Sequence, residues 1–435
     1  MTTLRDKLDS ELGGKLSFAE ILEALTGGNL PIQFIAYDGS ATGPQDAEYT
    51  LEVRNARGMN YLATSPGELG LARAYISGDM VAHGVHPGDP YNFLKAMQDL
   101  NFRRPPAKVL ANITRSLGWD LLRPLPAPPQ ETVPRWRRLA EGLLHSKTRD
   151  AEAIGHHYDV SNAFYEKVLG PSMAYTCAAY GEESWSLEQA QENKFRLVFD
   201  KLRLKEGDRL LDIGCGWGAM ARYAARRGVQ VIGATLSAEQ AEWAQKAIAE
   251  EGLSGLAEVR HSDYRDVAET DFDAVSSIGL TEHIGVSNYP AYFRFVESKL
   301  RPGGLFLNHS ITRADNLRTT SAGDFIDRYV FPDAELSGSG HVITQIQDVG
   351  FEVRHEENLR EHYALTLTEW CQNLVDNWDA CVAEVGEGTA KVWGLYMAGS
   401  RLGFEINDVQ LHQVLSVKLY PDHSARLPLR PWWTP

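Results

Sequence analysis

The chain has 435 residues, 43% of them hydrophobic and 23% charged, with a formal net charge of −15. That length supports a large core and two domains, and the acidic balance argues against general nucleic-acid binding outside a local basic patch. No run of 18 apolar residues could span a membrane, the N-terminal MTTLRDKLDSELGGKLSF lacks a signal-peptide core, and Cys177, Cys215, Cys371 and Cys381 show neither CxxC nor zinc spacing, so a cytoplasmic protein with reduced thiols is expected.

The N-terminal part mixes strand and helix patterns. LPIQFIAYDGS (30–40) alternates and ends in an Asp-Gly turn signal, and EYTLEVRN (48–55) alternates again. Together they predict two antiparallel strands. SPGELGLARAYISGD (65–79) predicts a helix with Pro66 and Glu68 in its first turn. No catalytic constellation is visible, so residues 1–123 read as a small α+β accessory domain.

PLPAPPQETVP (124–134) holds five prolines in eleven residues and reads as a semi-rigid linker. Around it the charge inverts, with ten Lys/Arg against four Asp/Glu over 103–150. RWRRLAEGLLHSK (135–147) puts Trp136, Leu139, Leu143 and Leu144 on one helical face beside Arg135, Arg137 and Arg138. Such a stretch suits an anionic membrane surface. Packing against the next domain with solvated charges explains the pattern equally well.

From residue 205 strands and helices alternate. RLLDIGCGWG (209–218) is a strand running into a glycine loop, MARYAARRG (220–228) is helical, VQVIGATLS (229–237) is a strand and AEQAEWAQKAIAEEG (238–252) a helix. AEVRHSDY, FDAVSSIG and LFLNHSIT are three further strands, with a helix over 288–301 before the last. This alternation predicts a mostly parallel sheet with helices on both faces, whose ligands bind beyond the carboxyl ends of the strands. Residues 135–435 are read as that domain.

The loop glycines, Gly214, Gly216 and Gly218, do not have dinucleotide G-x-G-x-x-G spacing. They permit a tight turn and close approach of a ligand, and Asp212 at the strand end can orient loop amides or meet an ammonium group. The pattern resembles the first motif of class I S-adenosylmethionine-dependent methyltransferases. The second strand ends GATLSAEQ without the acidic residue common in that class. Thr235 and Gln240 are the polar groups left for a ribose diol.

HHYDVSNAFYEKVLGPSMAYTC (156–177), LDIGCGWG, ATLSAEQ, SDYRD (262–266), SSIGLTEHIG (276–285), LFLNHSIT and EHYALTL (361–367) occur in an order and spacing that resemble the cyclopropane fatty acid synthase family over roughly residues 150 to 420. LGLARAYISGD is similar to the N-terminal domain of the phospholipid-acting members, and the whole chain looks most like the branch that makes 10-methylene fatty acids. The resemblance implies a class I Rossmann-like fold and S-adenosylmethionine as cofactor. Tyr158, Tyr175 and Thr176 would contact its amino-acid end, Gly214 and Gly216 would pass under it, and Thr235, Leu236 and Gln240 would surround the ribose. Asp263 and Tyr264 would meet the adenine and Ile278 would line the methionine. It also implies a bicarbonate site made of Cys177, Glu282, His309, Tyr363 and the Ile311 backbone.

Each of these residues has a plainer reading when taken singly. Glu282 can be structural, His309 a satisfied core histidine, Cys177 a small buried hydrophobe and Tyr363 a packed aromatic; their joint occurrence at family spacing carries the site. His283 is expected to point away from it. Trp370, Trp378, Trp393 and Phe404 read as core before channel wall.

The implied reaction is methylation of the cis double bond of an unsaturated phospholipid acyl chain through a carbocation, giving a 10-methylene branch, or a cyclopropane ring at the same bond. A methyltransferase for a small polar acceptor and a lipid-binding protein with a degenerate cofactor fold are the competing readings. Relatives imply a homo-oligomer, and the basic stretch over 103–149 an anionic membrane surface as partner, so a cytoplasmic protein peripherally associated with the inner membrane face is expected. Turning a methylene into a methyl branch would require a separate reductase partner.

Overall fold

The computed structural model describes residues 14–100, 102–103, 105–131, 160–317 and 321–434. The basic stretch over 135–147 and Tyr158 lie outside the described residues. The described residues form two compact units: those up to 131 together with Gly386–Gly399, and those from 160 onward without that segment.

In the first unit a capping box between Ser17 and Glu20 starts helix Phe18–Thr26. Strands β1 (Gln33–Ile35), β2 (Ala41–Thr42), β3 (Thr50–Val53) and β4 (Met80–His83) lie in the order β2-β1-β3-β4. The antiparallel pair expected from 30–40 and 48–55 is corrected here. β1 and β3 run parallel, because the short β2 takes the antiparallel hairpin position after the Asp38-Gly39 turn and β3 finds its antiparallel neighbour in β4. Phe34, Leu51, Val53, Met59, Tyr61 and Ala74 form the core between this sheet and helices Ala56–Thr64 and Glu68–Ile76.

The proline-rich run is fastened to this unit instead of standing free. The Asn60 amide donates to the carbonyls of Leu121 (2.9 Å) and Arg123 (2.8 Å), the Tyr61 hydroxyl donates to the Pro126 carbonyl (2.8 Å), and Arg73 grips Glu131 through two bonds of 2.6 Å. The single domain read over 135–435 is also interrupted. Gly386–Gly399 groups with the first unit, where Leu395 packs on its apolar cluster and the Lys391 ammonium stands 5.3 Å from the Tyr75 ring centre.

In the second unit the described strands are β5 (Arg209–Ile213), β6 (Gln230–Thr235), β7 (Ala257–His261), β8 (Phe272–Ile278), β9 (Leu300–Arg313), β10 (Phe351–Asn358) and β11 (Val409–Lys418). Their order is β10-β11-β9-β8-β5-β6-β7. The five from β7 to β9 are parallel, and β11 and β10 add antiparallel pairs that the alternation before residue 313 gave no reason to expect. Strand residues alternate between two apolar layers. Leu210, Ala274, Leu305, Leu307 and Leu415 face one, and Leu211, Val275, Phe306 and Val414 face the other. A sheet buried on both faces needs helices on both, which is why the strands read as apolar runs. The chain order reverses between β5 and β8. Carboxyl ends of neighbouring strands diverge there and leave a crevice.

The Arg73–Glu131 pair is largely buried, with side-chain exposures of 14% and 2%. Arg73→Met should lower the stability of the first unit by about 3–5 kcal/mol by removing the guanidinium that grips the largely buried Glu131 carboxylate. Denaturant unfolding checks this, and the double variant with Glu131→Met should recover most of the loss.

Candidate active site

A cavity opens at the carboxyl ends of the parallel strands. Gly214 and Gly216 border it after β5, Thr235 and Leu236 after β6, Ser262, Tyr264 and Arg265 after β7, and Gly279, Leu280 and His283 after β8. Gly216 has φ 54° and a Cβ there would meet only the Gln240 amide, at 4.0 Å, so the loop backbone is open to a ligand. Gly218 differs. A Cβ on it would lie 3.2 Å from Ala244 and 3.4 Å from Val259, so it serves packing of the helix behind the loop.

Thr235 donates to Gln240 Oε1 (2.7 Å), which turns the Gln240 amide nitrogen to be the available donor. This pair stands where an acidic residue would hold a ribose. Tyr264 and Ile284 give the far wall flat and apolar surface. Asp263 lies one layer back, its carboxylate accepting from the Arg265 backbone N–H (2.8 Å) and guanidinium (2.7 Å). Asp212 is buried behind the loop, accepts from the Ser276 hydroxyl (2.7 Å), and burial pushes its pKa up to about 6. Ile278 packs in the core beneath the loop. His283 borders this cavity and packs edge-on against Phe331 (5.1 Å). The donor set and the open glycine backbone fit S-adenosylmethionine.

Tyr175 and Thr176 approach from the segment before helix Leu187–Lys201. A Cβ on Gly279 would be 3.2 Å from the Thr176 methyl, which places Thr176 against the cavity wall. Gln191 donates to the Thr176 carbonyl (2.9 Å), and the Lys194 ammonium donates to the Thr176 hydroxyl (2.7 Å). Lys194 is fully buried; burial pulls its pKa down to about 7 against the opposing pull of Cys177, Asp212 and Glu188. Sequence reasoning missed this lysine. Its signal was available: Leu187, Ala190, Gln191, Lys194, Val198 and Lys201 share one buried stripe, where cations are rare unless they hold something.

A second constellation lies beside the first, at the ends of β8 and β9. Glu282 sits in a one-turn helix, Thr281–Ile284, that the sequence did not reveal. The Thr281 hydroxyl ties this turn to Asn308 on β9 (2.6 Å), and Glu282 Oε1 accepts the Ile311 backbone N–H (2.6 Å). Glu282 Oε2 is buried and meets no donor among the described residues. Burial therefore dominates, and raises the Glu282 pKa to about 7 against the Ile311 bond. His309 lies two residues before Ile311, fully buried, with Nδ1 3.1 Å from the Gln413 amide and Nε2 without a partner. Burial, then the nearby Lys194 and Lys201 charges, hold it far below the usual histidine range, so its ring is neutral.

Cys177 and Tyr363 reach the same region through Leu359. The Leu359 carbonyl accepts the Tyr363 N–H (3.2 Å) and the Cys177 thiol (3.8 Å), while the Leu359 N–H donates to Leu411, the cross-strand partner of Ile311. Burial raises the Cys177 pKa, so it remains a thiol. Aromatic rings surround this place. Tyr363 stacks on Phe404 (4.5 Å) and meets Trp370 edge-on (6.1 Å), and Tyr175 lies 5.4 Å from Trp370 and 6.3 Å from Phe331. Trp393 packs with Tyr396 in the other unit.

Comparison with known proteins agrees with this geometry. A family model described as mycolic acid cyclopropane synthetase matches residues 145–414. The chain is 68% identical to a probable fatty acid methyltransferase of Mycobacterium tuberculosis, over 97% of this chain and 99% of that one. It is 35% identical to the cyclopropane-fatty-acyl-phospholipid synthase of Escherichia coli, over 62% of this chain and 69% of that one. The cyclopropane synthase MmaA2 from Mycobacterium tuberculosis superposes with a TM-score of 0.58 at 31% identity, over 64% of this chain and 100% of that one. The mycolic acid cyclopropane synthase CmaA1 complexed with SAH and CTAB gives 0.58 at 30% identity, over 62% and 98%. A parallel sheet with a glycine loop at its switch point, matched by this family over most of its length, leaves one assignment: the chain belongs to the mycolic acid cyclopropane synthetase family and is an S-adenosylmethionine-dependent methyltransferase.

Proposed function

We propose that the enzyme methylates the cis double bond of an unsaturated phospholipid acyl chain and releases a 10-methylene branched product, using a bicarbonate ion held by Glu282 and His309. One observation carries this reading. Glu282 Oε2 is a buried acceptor without a donor, Glu282 Oε1 holds the Ile311 amide, and His309, two residues before Ile311 on β9, has a buried Nε2 without a partner among the described residues. Paired unsatisfied polar groups in a native interior ask for a small polar ligand, and bicarbonate, with both an O–H and acceptor oxygens, suits them. The 68% identical relative named as a fatty acid methyltransferase supports a fatty-acyl substrate.

When bound, S-adenosylmethionine supplies an electrophilic sulfonium methyl and bicarbonate supplies a weak base. The protein's residues do the rest. Methylating an alkene leaves positive charge on the acyl chain, and C–H bonds beside such a charge are strongly acidic. Tyr175, Phe331, Tyr363, Trp370 and Phe404 keep water away from it and offer ring faces that favour a cation. Glu282 Oε2 would accept a hydrogen bond from the O–H of the held anion, leaving its other oxygens to take the proton the acyl chain loses, and His309 would orient that anion. Cys177 and Tyr363 close the wall. A negative group fixed in a dry site favours charge developing on the substrate.

A cyclopropane ring at the same double bond is the second reading, favoured by the Escherichia coli relative named as a cyclopropane synthase. Ring and methylene share the first step and the base, and differ in whether a hydride shifts before the proton leaves. A separate reductase would carry a methylene on to a methyl branch. The membrane side of the proposal rests on the first unit. Trp119 is 86% exposed and Phe102, Leu110 and Leu125 are exposed near Lys108, Arg115 and Arg123, a mixture that suits anionic lipid. No helix among the described residues is long and apolar enough to cross a membrane.

Incubation with methyl-labelled S-adenosylmethionine and unsaturated phospholipid should put label into acyl chains, and an olefinic proton signal should mark the methylene. Label confined to small polar acceptors would overturn the reading. Glu282→Ala should abolish turnover and leave cofactor affinity nearly unchanged by calorimetry; equal loss of both would make Glu282 structural. Turnover should rise with pH through about 7, as Glu282 loses its proton, and Glu282→Gln should remove that dependence. Folding stability should move the other way. A carboxyl raised by burial is well tolerated while protonated, and its burial becomes costly as pH climbs from the unfolded value of roughly 4.3 to the folded value of about 7. At pH 8 Glu282→Gln should therefore be the more stable protein, by up to about 4 kcal/mol, in denaturant titrations.

A further inference from the structure

We propose that Lys201 and Gln413 form a hydrogen-bond relay that sets the tautomer of His309, so that its Nε2 carries the proton and faces the anion site as a fixed donor. This deepens the reading above and rests on it for the identity of the anion, but not for the tautomer.

Every group in the relay is buried: Lys201 and His309 have 0% exposure and Gln413 1%. Gln413 on β11 is the direct cross-strand partner of His309 on β9. The Lys201 ammonium donates to Gln413 Oε1 (2.6 Å) and is ion-paired with Glu357 on β10. An ammonium held against a carboxylate has only protons to offer. The amide oxygen of Gln413 must therefore face Lys201, and its NH2 must face His309. Gln413 Nε2 then donates to His309 Nδ1 (3.1 Å), so Nδ1 is the acceptor and the ring proton lies on Nε2. Nε2 is the atom left without a protein partner. The polarity runs one way, from a cation 212 residues before Gln413 in sequence to the unpartnered Nε2 of His309. The opposite tautomer would set two donors against each other. The imidazolium, which would do the same, is disfavoured by burial and by the charges of Lys194 and Lys201.

Lys201 and Gln413 are thus positioning residues. Their removal should change which nitrogen of His309 bears the proton before it changes anything else. The test is long-range 15N–1H correlation of protein labelled in its histidines, with His309 assigned by the signal lost in His309→Gln. The unliganded wild type should show a protonated Nε2 and a bare Nδ1. Gln413→Glu offers His309 only acceptors and should protonate Nδ1, with kcat lower by on the order of 100-fold and cofactor affinity unchanged. Lys201→Arg, which keeps a donor against Gln413, should keep the wild-type tautomer; Lys201→Met should not. Gln413→Glu provides the same test should Lys201→Met fail to fold. A protonated Nδ1 in the wild type overturns the proposal. So does a bare Nδ1 in Gln413→Glu, or a parallel fall of kcat, cofactor affinity and melting temperature in that variant. The spectra need neither substrate nor bicarbonate. If turnover proves indifferent to bicarbonate and to Glu282, the functional reading fails while the relay is still judged on its own signal.

Discussion

Glu282 presses one oxygen against the Ile311 amide and holds the other in an interior that gives it no donor. A buried carboxylate in that state costs several kcal/mol unless something shares it. Much of the second unit can be read as the means of keeping it there. The bond from Thr281 to Asn308 pins its short helix to β9, and the Glu335 N–H holds its carbonyl. The antiparallel β11 covers the far side of β9 and brings Gln413 opposite His309. The parallel sheet alone would build the cofactor cavity. The two added strands bring Gln413 and Glu357 to the side of β9 that carries His309.

The cofactor cavity was legible because its information is local. Asp212, Gly214 and Gly216 lie within one strand–loop turn, and the apolar runs of β5 to β9 announce a sheet covered on both faces. Gly218 belongs to the same motif but answers to Ala244 and Val259, a helix and a strand away, so the motif overstated its part in binding. The parallel pairing of β1 and β3 was hidden by two residues, Ala41 and Thr42, too short a strand to show a period. Lys194, Lys201 and Gln413 carried the faintest signal. A lysine on the buried stripe of a helix is visible as an oddity, but what it holds depends on chain segments that only the fold brings together.

The two lysines share a stripe seven residues apart on one helix and serve neighbouring tasks. Lys194 donates to the hydroxyl of Thr176, and Lys201 to the amide oxygen of Gln413. A single helix therefore fixes side chains beside the cofactor cavity and beside His309, and a shift of that helix would disturb both. Rigid elements suit this task because polar groups in a dry site must already be oriented when charge appears.

The balance of buried charge explains why so polar a site can sit among aromatic rings. Burial brings Asp212 to about 6 and Glu282 to about 7, while Lys194 comes down to about 7. In the proposed reaction, positive charge arising on an acyl chain would be favoured where Glu282 is ionised and opposed by charge on Lys194 and Lys201. His309, kept neutral by burial and then by those same charges, adds no third positive charge. In the proposed reaction a protonated ring would hold the anion more tightly but repel the cation to be formed, whereas a neutral ring with its proton on Nε2 would hold the anion without that penalty.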